Sequence, residues 1–162
     1  MEPPKPVIAV RNLIRRVVAG LQWLPPLAAR LILGVVFIQS GWGKLSDLKS
    51  TTDNFAGWHI PFPHFNAVLA ACTEFGGGCL ILVGLLTRIA AVPLIVVMAV
   101  AIASAKWAKI EDWTDFFGFD EVAYAIMFLW LGVRGAGKVS LDYVIGKKLG
   151  LLVDGRDRDR DA

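Results

Sequence analysis

Residues 67–86 read AVLAACTEFGGGCLILVGLL, an apolar stretch in which Glu74 is the single charged residue. Wound as an α-helix at 1.5 Å per residue, the stretch would reach about 30 Å, the thickness of a bilayer's hydrocarbon core. A carboxylate at that depth is expensive to bury and is rarely left unpaired. An intramembrane ionisable group is by default a functional-site candidate. This one segment therefore sets lipid as the solvent and gives function an address.

Composition agrees. With 56% hydrophobic residues in a chain of 162, too few polar groups remain to coat a soluble domain of this size. The net charge of +3 is concentrated at the two ends of the chain, which fits a lipid surface. No aromatic-basic interleaving is present, so nucleic acid is excluded as a partner. Cys72 and Cys79 share a helix face but stand about 10 Å apart along it, beyond disulfide reach.

Three further apolar segments flank the first. They run from about Leu27 to Leu45, from Ile89 to Ala105 and from Val122 to Val139. Pro25-Pro26 marks the start of the Leu27 segment, and Thr87-Arg88 reads as a two-residue turn between the middle two. The first segment does not read as a cleaved signal peptide, because Arg30 and Gln39 interrupt it and no small-x-small site follows. The expected fold is all-α: an integral membrane four-helix bundle with an amphipathic N-terminal interfacial helix.

Lys and Arg set the orientation. Lys5, Arg11, Arg15, Arg16 and Arg88 lie on one side, with Arg134, Lys138, Lys147, Lys148, Arg156, Arg158 and Arg160. Across from them, Lys44, Lys49, Lys106 and Lys109 are diluted by Asp47, Asp53, Glu111, Asp112, Asp115, Asp120 and Glu121. Both termini are expected in the cytoplasm, with a multi-pass chain in the cell membrane. Trp42, Trp58, Trp107 and Trp113 fall near the outer ends, as an interfacial belt would.

Three regions follow. Residues 1–26 form a cytoplasmic leader in which Val10, Leu13, Ile14, Val17, Leu21 and Leu24 recur at helical spacing, away from Arg11, Arg15, Arg16 and Gln22. That pattern suits a helix lying on an anionic leaflet, or one packed beneath the bundle. Residues 27–145 form the membrane domain, with a short helix expected to start at a Ser140 cap. Residues 146–162 form a charged tail closing in an Arg-Asp repeat, expected to be disordered.

The order of several short elements resembles the DoxX family of small four-helix bacterial and archaeal membrane proteins. They are Arg30 with Gly34 and Phe37, then Gly41-x-x-Lys44-Leu45, Glu74-Phe-Gly-Gly and Gly84-Leu-Leu-Thr-Arg88. Gly135-x-Gly137-Lys138-Val139-Ser140-Leu141-Asp142 follows the last span, so the likeness covers residues 28 to 145. The resemblance implies a four-helix membrane fold. It also implies a link to sulfur or quinone oxidation complexes, or to oxidoreductase assemblies that handle thiol stress.

Helical arithmetic brings other polar residues to the depth of Glu74, about 10 Å below the outer interface. Gln39 and Ser40 reach it from the first span, and the long stem of Lys44 can reach down from a turn above. Three readings stay open: a pair that locks two helices, a polar pocket for a quinone head group, thiol compound or proton, and a solvated vestibule. Glycines at 34, 41, 43, 76, 77 and 78 predict a close contact between the first two spans. Pro93 predicts a kink in the third. His59 and His64 flank Ile60-Pro-Phe-Pro in an outer loop read as an extended cap over the bundle mouth and the Glu74 pocket. Two histidines do not make a metal site, and Gly132-x-x-x-x-Gly137-Lys138 lacks the Ser or Thr of a phosphate loop. Arg30, Arg88, Arg134 and Lys138 are expected to anchor the inner ends to leaflet phosphates.

The function expected from these readings is a subunit of a redox or quinone-linked membrane complex, non-catalytic and without a redox centre of its own. Its partners would be membrane lipids and other membrane or membrane-associated subunits. No catalytic residue, metal or intrinsic cofactor is assigned, and a quinone or lipid is the bound molecule the pocket would suit. The alternative is a small-molecule, quinone or lipid-binding carrier that uses the pocket itself.

Overall fold

A computed structural model describes residues 5–107 and 110–150. The Arg156–Asp161 repeat therefore lies outside the described residues. Those described are mostly helical, with no strand among them. The elements are α1 (Lys5–Leu21), α2 (Leu24–Ser46), α3 (Leu48–Gly57), α4 (Pro63–Val83) and α5 (Thr87–Ala101). A π-helical turn, Ile102–Lys106, extends α5, and α6 (Trp113–Gly118), α7 (Asp120–Arg134) and α8 (Leu141–Lys148) follow.

Three helical stretches are long and apolar enough to cross a membrane: Val10–Ser46, Pro63–Val83 and Thr87–Lys106. The fourth expected span is shorter than its apolar run. α7 stops at Arg134 because Gly135 turns to φ +85°, and its 15 residues measure about 22 Å. It still packs in the bundle. Phe128 and Leu131 of α7 are fully buried beside Leu33 and Phe37 of α2, Ile81 of α4 and Leu94 of α5. Phe37 meets Phe128 edge-on, with ring centroids 4.8 Å apart, a favoured aromatic geometry. Outside this thin core Ile32, Val92, Ile126 and Leu129 stand exposed, a surface suited to lipid.

The closest helix contact is between α2 and α4, and glycine makes it. A Cβ placed at Gly34 would lie 2.7 Å from Leu82 Cβ, and one at Gly78 would lie 2.8 Å from the Ile38 nitrogen. At Gly41 it would meet the backbone of Phe75 and lie 2.8 Å from the Ala71 carbonyl oxygen. Gly77 instead fits against Leu94 of α5, while Gly43 and Gly76 face open space. The predicted approach of the first two spans holds, with Gly34, Gly41 and Gly78 as its contacts.

Several boundaries differ from the sequence reading. α4 ends at Val83, where Gly84 takes φ +69° and the helix closes with Leu85 N–H donating to the Leu80 carbonyl. The turn is thus Gly84 to Leu86, and Thr87 and Arg88 belong to the first turn of α5. The outer loop holds α3 ahead of Ile60-Pro-Phe-Pro, because Asp47 ends α2 and its carboxylate accepts from Ser50 N–H at 3.0 Å, and Phe62 within that motif is left-handed at φ +48° instead of extended. α1 is helical as expected, but Val10, Leu13, Ile14, Val17 and Leu21 are exposed, so it is not packed beneath the bundle. Ser140 caps α8 as predicted, accepting from Tyr143 N–H at 3.1 Å.

Candidate functional site

Two charged residues are buried among the described residues, Glu74 on α4 and Arg30 on α2. They mark opposite ends of the α2–α4 contact.

Toward the outer end, Ser40 and Lys44 lie one helical turn apart on the α2 face turned to α4. Ser40 Oγ donates to Glu74 Oε2 at 2.8 Å, and Lys44 Nζ donates to the same oxygen at 2.5 Å. Lys44 Nζ also donates to Ser40 Oγ at 2.7 Å, which closes a three-membered ring of contacts. Glu74 is 3% exposed, whereas the Lys44 side chain keeps 28% of its surface open toward the outer end. Thr51 of α3 is buried and donates its hydroxyl to the carbonyls of Lys44 at 3.3 Å and Asp47 at 2.9 Å.

Gln39 is not part of it. The side chain is exposed, one residue and so about 100° round the helix from Ser40, and it makes no contact with Glu74. The histidines make no hydrogen bond to the Glu74 cluster. His59 and His64 are both exposed, and His64 Nδ1 sits 3.3 Å from Thr52 Oγ1 of α3. Among the described residues no three His, Cys, Asp or Glu side chains converge as a metal site would require. Cys72 and Cys79 are both free thiols.

At the inner end the sequence reading is corrected. Arg30 does not reach out to leaflet phosphates; it is 2% exposed. Its Nε donates to the Ile81 carbonyl at 2.9 Å and Nη2 to the Leu82 carbonyl at 2.8 Å. Nη1 donates to the carbonyls of Ala136 at 3.1 Å and Val139 at 2.5 Å. A cation on the last carbonyls of α4 also complements the negative end of that helix. The pairing joins the start of α2, the end of α4 and the strap after α7, so the segments leading to both chain ends leave from one end of the bundle.

Asp142, whose role has no local signal in the sequence, completes this end. Its Oδ1 accepts from Leu86 N–H at 2.7 Å and its Oδ2 from Thr87 N–H at 3.1 Å. That caps α5 from 55 residues away with an anion at the positive helix end. Asp142 N–H donates to the Gly84 carbonyl at 2.9 Å. Arg88, Arg134 and Lys138 stay at the surface, as expected for interfacial cations.

Substitution at Glu74 separates charge from hydrogen bonding. Glu74→Gln still accepts from Ser40 and Lys44, and stability should change by no more than about 1 kcal/mol. Glu74→Leu strands Ser40 and sends Lys44 out to the interface, for a loss of about 1–2 kcal/mol in detergent melting. An equal loss for both would show that the ionic attraction, rather than hydrogen-bond acceptance, holds the contact.

The family model described as DoxX matches residues 26–107, which hold both ends of the α2–α4 contact. The inner membrane protein YqjF of Escherichia coli is 29% identical over 75% of this chain and 92% of its own. The membrane protein Rv3486 of Mycobacterium tuberculosis is 32% identical over 76% of this chain and 84% of its own. A Bacillus subtilis protein named "Putative oxidoreductase CatD" is 30% identical over 76% and 90%. No solved structure gives a significant match. Helical core, apolar exterior and these matches agree: the chain is a membrane protein and belongs to the DoxX family.

Proposed function

We propose that the chain is a non-catalytic integral membrane subunit of a redox or quinone-linked complex. One observation carries the reading. Both buried charges are engaged within the chain itself: Glu74 by Ser40 and Lys44, and Arg30 by four carbonyls. Groups so paired hold helices together, and electron transfer then falls to a partner. The name of the CatD relative supports the redox link. Mild-detergent purification followed by mass spectrometry tests this. Stoichiometric partner polypeptides support the subunit, whereas a lone chain retaining one quinone would make it a carrier.

Topology belongs to the same proposal. α7 acts as the fourth span, with Arg134 and Lys138 at its inner interface, and both chain ends lie in the cytoplasm. The clustering of Lys and Arg at the end where α1 and α8 emerge supports that orientation. In a variant lacking Cys72 and Cys79, cysteines placed at Ser50 and Thr114 should react with an impermeant reagent on intact cells. A cysteine at Lys148 should stay protected until the cells are opened. Labelling of the Lys148 site from outside would reverse the orientation.

A further inference from the structure

At the inner end of the bundle, the first turn of α5, the strap after α7 and the start of α8 enclose a groove of about 510 Å³. Arg88, Arg134 and Lys138 line it, and all three are exposed. Among the described residues none of them makes an ion pair, which distinguishes them from Lys44 and Lys106. The Arg88 guanidinium lies over Gly135, 3.5 Å from where a Cβ would stand, so the missing side chain leaves the cation beside the groove floor. Asp142 also lines the groove, but both its carboxylate oxygens are held by the first amides of α5.

The charge balance therefore favours an anion, and the rim says which kind. Leu86 and Ile89 border the groove and are 50% and 67% exposed. Three cations beside exposed apolar side chains, at the membrane interface, match an amphiphile rather than a soluble ion. Basic pockets between membrane helices on the cytoplasmic side suit phospholipids carrying more than one negative charge.

We propose that this groove binds an anionic phospholipid, with headgroup phosphate against Arg88, Arg134 and Lys138 and an acyl chain along Leu86 and Ile89. A diphosphatidyl lipid such as cardiolipin uses the three cations best. The site tethers the α4–α5 turn and the strap after α7 to the same lipid, joining elements that Arg30 joins from within. This inference does not depend on a redox partner.

Native mass spectrometry of the full chain in mild detergent tests it, with cardiolipin, phosphatidylcholine and inorganic phosphate as separate probes. One cardiolipin should be retained in preference to phosphatidylcholine, and millimolar inorganic phosphate should not displace it. R88Q/R134Q should weaken retention by about ten- to thirty-fold. K147Q/K148Q removes the same charge from α8 outside the groove and should change it by less than about three-fold. Equal losses in the two variants would reduce the effect to general surface charge and overturn the site. Displacement by inorganic phosphate would overturn the lipid assignment in favour of a soluble anion. Unchanged melting temperatures in both variants are expected, since the substituted side chains are exposed, so a lost lipid cannot be traced to a lost fold.

Discussion

Arg30→Leu should lower the melting temperature of the purified protein by on the order of 10 °C, the largest effect expected from any single substitution in the bundle. The guanidinium donates to the carbonyls of Ile81, Leu82, Ala136 and Val139. Removing it leaves several carbonyls beside a buried site without a donor, for about 3–5 kcal/mol. Arg30→Lys should recover less than half of that. A single ammonium cannot reach the end of α4 and the strap after α7 at once, whereas the planar fork does. Full recovery by lysine would show that charge at the helix terminus matters and that the fork does not.

Gly41→Val should be the second most damaging change, for a different reason. No rotamer escapes the clash, because the Cβ itself meets the α4 backbone at Phe75 and Ala71. The two helices must separate, and the Ser40 and Lys44 contacts to Glu74 weaken with them. Overpacking of this kind costs about 1–3 kcal/mol, and more where backbone must move. Gly43→Ala, two residues on but facing open space, should be neutral or stabilising by up to about 1 kcal/mol through helix propensity. Similar losses at both positions would mean that glycine acts through local helix flexibility and not through the contact.

These sites differ in how far the sequence disclosed them. Lipid as solvent demands long apolar helices, so α2, α4 and α5 stand out, and helical rise alone places Ser40 and Lys44 beside Glu74. The same arithmetic excludes Gln39 once angle is counted as well as depth. Arg30 carried a readable signal that end-of-span position obscured: Arg30, Leu33, Gly34, Phe37, Gly41 and Lys44 recur every three or four residues and form one face. That face is turned to α4, which buries Arg30 although it lies near the end of the span. α3 was hidden by Pro61 and Pro63, although Asp47 followed by Ser50 is a helix-start signature upstream of both. Asp142 had no local signal, because the amides it caps lie in a distant turn brought near only by folding.

Under the proposed function the buried charges hold helices and the redox chemistry is left to a partner. The most direct test is the quinone-linked oxidoreductase activity of the assembled complex carrying Glu74→Gln. Normal assembly and a rate within about two-fold of wild type are expected, because the amide still accepts from Ser40 and Lys44. A complex that assembles fully and is inactive would contradict that function and make the Glu74 carboxylate a working part of the reaction.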